Sequence, residues 1–282
     1  MKILVLGGSG FVGYYLAKHF NAISASAHQK EGYVKLDITD KKEVSEVLNK
    51  IKPELIINSA AIADVDLCEK EKETAMLVNG YAVEWLSSLS KEIGAKFVQI
   101  STDYVFDGLT GNYKEEDNPN PINEYGKSKL IGEENALKND AIVLRIEMPY
   151  GINIAKNKNV FFESVINNLK EGKTVNAAVD QIISPTFVED IPKAVAVLVE
   201  KEVNGIFHLA SKEHFSRFEF VNIIADVFNF DKTFIKPVKL ADFKMLAKRP
   251  KNTFLNIDKI SKFYEIKPLK ENLEKIKNEI TI

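Results

Sequence analysis

The sequence predicts an α/β fold with a doubly wound parallel sheet, and three observations carry that prediction. Short apolar runs alternate with longer segments of helical periodicity through the first half of the chain. A glycine-rich turn, Gly7-Gly8-Ser9-Gly10-Phe11-Val12-Gly13, lies directly between the first apolar run and the first helical segment. The chain has 282 residues, 45% of them hydrophobic, enough for about two domains or one large one.

Each element follows in order. Residues 3–6 form a wholly apolar strand of the kind buried on both faces. Residues 11–20 read as a helix, and 22–26 and 33–36 as short strands. Residues 41–51 form a helix with Val44, Val47, Leu48 and Ile51 on one face and Asp40 as its N-cap. A strand over 55–58, a long helix over 74–93, a strand over 96–101, a helix over 125–137 and a strand over 141–146 complete the series. Strands separated by helices mean repeated βαβ units. After about Tyr150 the rhythm loosens, with Pro185, Pro237, Pro250 and Pro268 as interruptions and helices over 188–199 and 218–228. The division expected is 1–150 and 151–282, with the chain free to cross between them. The tail residues Leu269, Leu273, Ile276 and Ile280 have helical spacing and read as a helix docked on its own domain.

Composition narrows the function classes. The charged fraction of 28% and the apolar fraction of 45% are those of a globular chain and exclude disorder. Lys and Arg number 38 against 40 Asp and Glu, a net charge of −2. That balance lacks the positive field of a nonspecific nucleic-acid binder. The single cysteine, Cys68, excludes an intramolecular disulfide and a cysteine-built zinc site, and a buried inert thiol is the expectation. No run approaches ~20 apolar residues, and the opening one is too short for a signal-peptide core. The expected setting is therefore the cytoplasm, with neither nucleic acid nor membrane as partner. The four histidines lack metal-ligand spacing, Asp64 and Asp66 read as structural, and no metal is expected.

The glycine turn points to a dinucleotide. Gly7 permits a tight turn, Gly10 lets backbone amides approach a pyrophosphate, and Gly13 lets the helix pack close to the sheet. The helix N-terminus then favours the anion. The second strand ends in Ser26, with no carboxylate until Glu31. An acidic residue there usually binds the ribose 2′-hydroxyl of NAD. Its absence, with His28 and Lys30 nearby, favours NADP(H) and leaves NAD(H) as the alternative.

Tyr125 and Lys129 stand at i and i+4 on a helix, on one side. A lysine beside a phenol is expected to lower its pKa from about 10 towards neutrality, for proton transfer to a substrate oxygen. Ser101-Thr102-Asp103-Tyr104 ends a buried strand, at the sheet edge where α/β proteins bind ligands.

With these motifs in hand, the chain resembles the extended short-chain dehydrogenase/reductases, and more closely the dTDP-4-dehydrorhamnose reductase family. The matching segments are the glycine turn, Leu36-Asp37-Ile38, Ile57-Asn58-Ser59-Ala60-Ala61, and Ser101-Thr102-Asp103-Tyr104-Val105-Phe106-Asp107-Gly108. They continue through Tyr125-Gly126-Lys127-Ser128-Lys129, Arg145 with Tyr150-Gly151, Ser184-Pro185-Thr186, His208-Leu209-Ala210 and Arg249-Pro250. The resemblance implies a Rossmann-type cofactor domain and a smaller C-terminal α/β substrate-binding region, with the site in the cleft between them. It implies Thr102, Tyr125 and Lys129 as the catalytic set. Gly10, Phe11 and Val12 hold the pyrophosphate, Asp37 and Ile38 lie beside the adenine, and Ala60, Ala61 and Ile62 lie under the ribose and pyrophosphate. Thr102 and Asp103 touch the sugar, and Tyr104 and Met148 belong to the same substrate wall. The implied reaction is NADP(H)-dependent reduction of a 4-keto nucleotide-linked 6-deoxy sugar, most closely dTDP-4-dehydrorhamnose to dTDP-L-rhamnose.

Three departures from the family pattern matter. Ser26 replaces a frequent acidic residue, in line with NADP(H). Met148 replaces a tryptophan that stacks on the sugar. Tyr15 stands where some members have a glutamate for a dimer-bridging magnesium; a homodimer stays open without that metal. A nucleotide-sugar 4,6-dehydratase is disfavoured because Asp103 is followed by Tyr104 and not by a second carboxylate. A 4-epimerase and a non-catalytic NADP-binding regulatory subunit of the methionine adenosyltransferase type remain as alternatives.

Overall fold

The computed structural model describes residues 1–155 and 160–280. The strands are β1 (Ile3–Leu6), β2 (Ile23–Ser26), β3 (Val34–Lys35), β4 (Leu55–Asn58), β5 (Lys96–Thr102), β6 (Ile142–Ile146), β7 (Val175–Ala178), β8 (Ile182–Ile183), β9 (Gly205–Leu209), β10 (Phe215–Ser216) and β11 (Ile235–Val238). The α-helices are α1 (Phe11–Phe20), α2 (Lys41–Ile51), α3 (Val65–Lys70), α4 (Lys72–Met76), α5 (Ala82–Glu92), α6 (Glu124–Leu137), α7 (Phe161–Lys170), α8 (Asp190–Glu200), α9 (Arg217–Phe228) and α10 (Leu269–Glu279). Among them no helix is long and apolar enough to cross a membrane.

The main sheet runs β3-β2-β1-β4-β5-β6-β9, parallel at every pairing. Both faces are apolar because alternate residues of each strand feed opposite layers. Ile3, Val5, Leu55, Ile57, Val98 and Ile100 pack with α1 and α8 on one side. Leu4, Leu6, Ile56, Phe97 and Val143 pack with α2 and α5 on the other. The strand order turns back between β1 and β4, so their C-terminal ends open a crevice, the position at which such sheets bind ligands. Leu6 pairs with Asn58, so the glycine turn and the segment from Ser59 leave the sheet side by side.

Asp40 caps α2 as expected, accepting from the N–H of Lys42 at 2.9 Å and of Glu43 at 3.0 Å. Such a cap contributes about 1 kcal/mol. The helix expected over 74–93 is interrupted by a π-turn at Leu77–Tyr81, and α3 and α4 precede it. The cause is Asn79, which is buried in order to bond other segments, a demand that helical periodicity does not register.

The C-terminal part has its own apolar cluster of Phe162, Phe220, Phe228 and Leu273 among others, flanked by the β7–β11 and β8–β10 ribbons. The chain also returns to the main layer: α8 packs on α1, and β9 closes the sheet against β6.

Candidate active site

The crevice opens into a cleft of about 740 Å³ between the main sheet and the C-terminal cluster. Gly10, Phe11, Val12 and Gly13 line one end. The Gly10 N-cap position carries no side-chain cap, and the first turn has no acidic residue, so the N-terminal amides of α1 stand available to an anion. A Cβ on Gly13 would come within 2.1 Å of the Gly7 carbonyl; only glycine lets the helix start this close to the turn. The cradle therefore fits a dinucleotide pyrophosphate. Ala61 and Ile62 line the same wall.

Asn79 holds that wall in place. Its Oδ1 accepts from Ile62 N at 2.8 Å, while its Nδ2 donates to Ile62 O at 3.0 Å and to Ser128 Oγ at 3.1 Å. It thereby ties the loop after β4 to α6. Sequence reasoning missed it, and an asparagine inside an otherwise helical stretch was the available signal.

The other predicted cofactor residues fall outside the cleft lining. Gly7 and Ala60 pack behind it, with 2.7 Å between the Ala60 backbone and a Cβ placed on Gly7. Ser26 is buried at the end of β2, its Oγ 3.4 Å from Ser9 Oγ of the glycine turn. Asp37 is exposed, and its Oδ1 accepts from Thr39 N and Oγ1. Ile38 is buried, and its carbonyl accepts from Trp85 Nε1. All of these lie along the same C-terminal edge of the sheet.

Thr102, Asp103, Tyr104, Tyr125, Lys129 and Met148 all line the cleft. Asn123 caps α6 by accepting from Gly126 N at 2.8 Å. A Cβ on Gly126 would meet the Tyr104 carbonyl at 2.1 Å, so glycine here lets the first turn of α6 press against the end of β5. That contact brings Tyr125 into the cleft lining beside Thr102, while the rings of Tyr104 and Tyr125 meet edge-on at 5.8 Å. Lys129 is buried and donates to Ile100 O at 2.7 Å.

The charges do not follow the sequence expectation. Burial pushes the Tyr125 phenol above its ordinary value. Burial also pulls Lys129 down to about 8. Lys129 Nζ donates to the Ile100 carbonyl, and burial decides the phenol, so the expected lowering is absent from the protein alone. Tyr125 is therefore a phenol at neutral pH, a proton donor ready for use.

Several other lining residues were given no role by the sequence reading. Glu147 follows β6, Thr253 comes from the C-terminal loop, and both are buried beside Asp103. Thr253 Oγ1 donates to Asp103 Oδ2 at 2.6 Å and lies 3.3 Å from Glu147 Oε1. Ser184 Oγ donates to Glu147 Oε2 at 2.6 Å. Burial pushes both carboxyls up, and repulsion from Asp103 pushes Glu147 further than Asp103. Met148, just beyond, holds φ +35, a left-handed conformation that costs a non-glycine residue energy and is concentrated at functional sites. Phe161 supplies an aromatic face, with the guanidinium of Arg217 4.9 Å from its ring centroid. The Nε of Arg217 is buried without a hydrogen-bond partner.

The other candidates are structural. Asp64 caps α3, and Asp66 pairs with Arg249 at 3.0 Å. Burial raises the Cys68 thiol to about 11, which leaves it inert at neutral pH. Tyr15 donates to Ile152 O at 2.7 Å.

Comparison with known proteins agrees with this geometry. A family model described as the RmlD substrate binding domain matches residues 1–282. A probable low-salt glycan biosynthesis reductase of Haloferax volcanii is 34% identical, over 92% of this chain and 91% of its own. The methionine adenosyltransferase 2 subunit beta of Danio rerio is 31% identical, over 92% of this chain and 84% of its own. The crystal structure of a Bacillus anthracis dTDP-4-dehydrorhamnose reductase in complex with NADP superimposes with a TM-score of 0.89 at 30% identity, covering 99% of this chain and 100% of that one. A parallel sheet with its glycine cradle at the switch point could serve many dehydrogenases, but the match along the entire length narrows the choice: the chain belongs to the RmlD substrate-binding-domain family, the dTDP-4-dehydrorhamnose reductases of the extended short-chain dehydrogenase/reductase class.

Proposed function

We propose that this protein reduces the 4-keto group of a nucleotide-linked 6-deoxy sugar with NADPH, the specific reaction being dTDP-4-dehydrorhamnose to dTDP-L-rhamnose. In its family setting it is an NAD(P)-dependent oxidoreductase of sugar nucleotides. The observation that carries the reading is the meeting of Tyr125, Thr102 and Lys129 in one cleft, with the uncapped N-terminus of α1 at one side and the Arg217 guanidinium at the other. The nicotinamide cofactor supplies the hydride. Thr102 orients the carbonyl oxygen, Tyr125 gives it a proton as the carbon is reduced, and Lys129 stabilises the phenolate that remains. The unpartnered Nε of Arg217 suits the sugar diphosphate, and Phe161 offers the flat apolar face that Met148 lacks. Incubation with NADPH and a panel of 4-keto-6-deoxy nucleotide sugars, with product stereochemistry read by NMR, tests this. The likeness to methionine adenosyltransferase 2 subunit beta supports the competing regulatory reading, which wins if the wild type binds NADPH and turns over none of them.

Two further results are expected. Ser26→Asp places a carboxylate against the glycine turn and shifts preference towards NADH, by repelling a 2′-phosphate. Equilibrium titration of both cofactors measures this, and a wild type that strongly prefers NADH refutes it. Met148 is flexible and polarizable, so the wild type should accept several 4-keto sugars. A sharp choice of one sugar, unchanged in Met148→Ala, would show that this side chain has no part in recognition.

A further inference from the structure

Two buried carboxyls meet at one hydroxyl. Thr253 has a single hydroxyl hydrogen, and the 2.6 Å contact assigns it to Asp103. The 3.3 Å approach to Glu147 is then favourable only when Glu147 brings a hydrogen of its own. Ser184 and Thr253 are the side chains that bond Glu147, and neither is a cation; Arg217 acts on Asp103. Two like charges this close in a buried site cannot both ionise at neutral pH. From the other side, Thr102 Oγ1 donates to Asp103 Oδ1 at 3.0 Å, and Thr102 lines the cleft together with Tyr125. A chain of hydroxyls and carboxyls therefore runs from Thr102, on the Tyr125 side of the cleft, through Asp103 and Thr253 to Glu147.

We propose that Glu147 is the proton reserve that restores Tyr125 after each turnover, passing its proton through Thr253, Asp103 and Thr102. This rests on the reductase reading above. In the chemical step the phenol O–H bond breaks as an O–H bond forms on the sugar C4 oxygen. Glu147 then gives its proton to Thr253 as Thr253 gives its own to Asp103. Asp103, turned about its Cβ–Cγ bond, protonates Thr102 as Thr102 protonates the phenolate. Tyr125 is again a phenol, Glu147 is a carboxylate, and a proton taken up from bulk solvent through the cleft reprotonates Glu147, balancing the one delivered to the sugar. Glu147 touches no reacting atom in this scheme, so it is a positioning and relay residue.

Two measurements test it. In rapid mixing with NADPH and the best 4-keto sugar, Glu147→Gln should keep the first turnover within about twofold of wild type while steady-state kcat falls by roughly tenfold or more. Thr253→Val, which leaves both carboxyls in place but cuts the chain, should do the same. First turnover and steady state falling together, or neither falling, overturns the relay. The second measurement needs no substrate. The infrared carbonyl band of a protonated carboxyl should persist at neutral pH in wild type, fade as pH rises, and be missing from Glu147→Gln. Absence of that band at neutral pH overturns the reserve even where turnover is normal. A wild type that shows the band but reduces no sugar overturns the reductase reading, and the relay's use in turnover with it.

Discussion

Tyr125→Phe is expected to lower kcat by roughly 10²–10⁴, the usual worth of a positioned proton donor, and to leave NADPH affinity nearly unchanged. The phenol hydroxyl is all that is removed. The ring keeps its edge-on contact with Tyr104, and the Asn123 cap and the Gly126 approach that place the first turn of α6 are untouched. Thr102→Val should cost less, because it removes an orienting hydrogen bond and not the transferred proton. Lys129→Met should harm both rate and cofactor affinity. Because burial draws Lys129 down to about 8, its positive charge is present below that pH and is lost as pH rises through it, so turnover that depends on the charge should decline over the same range. Steady-state turnover and NADPH affinity of the three variants check the assignment. Near-full turnover by Tyr125→Phe on a good sugar would remove Tyr125 from the role of acid.

Glu133→Gln should destabilise the fold by about 3–5 kcal/mol, a large share of the roughly 5–15 kcal/mol that holds a domain together. Glu133 on α6 and Arg145 on β6 are each 1% exposed. Arg145 donates to Glu133 from Nη2 at 2.7 Å and from Nε at 3.0 Å, and Ser101 also hydrogen-bonds Glu133. The third side of the guanidinium faces His208, whose Nδ1 lies 3.1 Å from the Tyr113 carbonyl and so carries the ring hydrogen, leaving Nε2 to accept from Arg145 at 3.2 Å. Burial and Arg145 hold His208 down at about 3, neutral throughout the working range. Neutralising Glu133 leaves a cation in the core with no counter-charge. The paired replacement Glu133→Leu with Arg145→Met removes both charges and should recover most of the loss. Urea denaturation midpoints of the single and double variants measure this; a Glu133→Gln midpoint equal to wild type would show that the charge is not needed.

The elements most legible in advance were those whose cause is local. The strand pattern of β1, β4 and β5, the Asp40 cap, the glycine turn at the head of α1 and the Tyr125–Lys129 spacing on α6 all follow from hydrophobic alternation, cap chemistry and steric need within a few residues. The π-turn at Leu77–Tyr81 was not legible, since its cause is Asn79 reaching across to Ile62 and Ser128. Nor was the seventh strand, β9, whose place depends on pairing with β6 some sixty residues earlier in the chain. The lowered tyrosine pKa inferred from spacing did not appear, because spacing on a helix states which side chains share a side and not which partner each one takes.

The sequence by itself therefore determined the sheet, its ligand-binding edge and the family-matched Thr102, Tyr125 and Lys129, because βαβ units and their turns are specified by short-range pattern. Only the tertiary structure decided which groups face those residues. Glu147, Thr253, Arg217 and Phe161 come from four separate segments and converge on one cleft. They do so because the C-terminal cluster packs over the edge of the sheet. Burial there sets the protonation of Tyr125, Asp103 and Glu147, and desolvation is a property of the packed molecule that no stretch of chain carries alone.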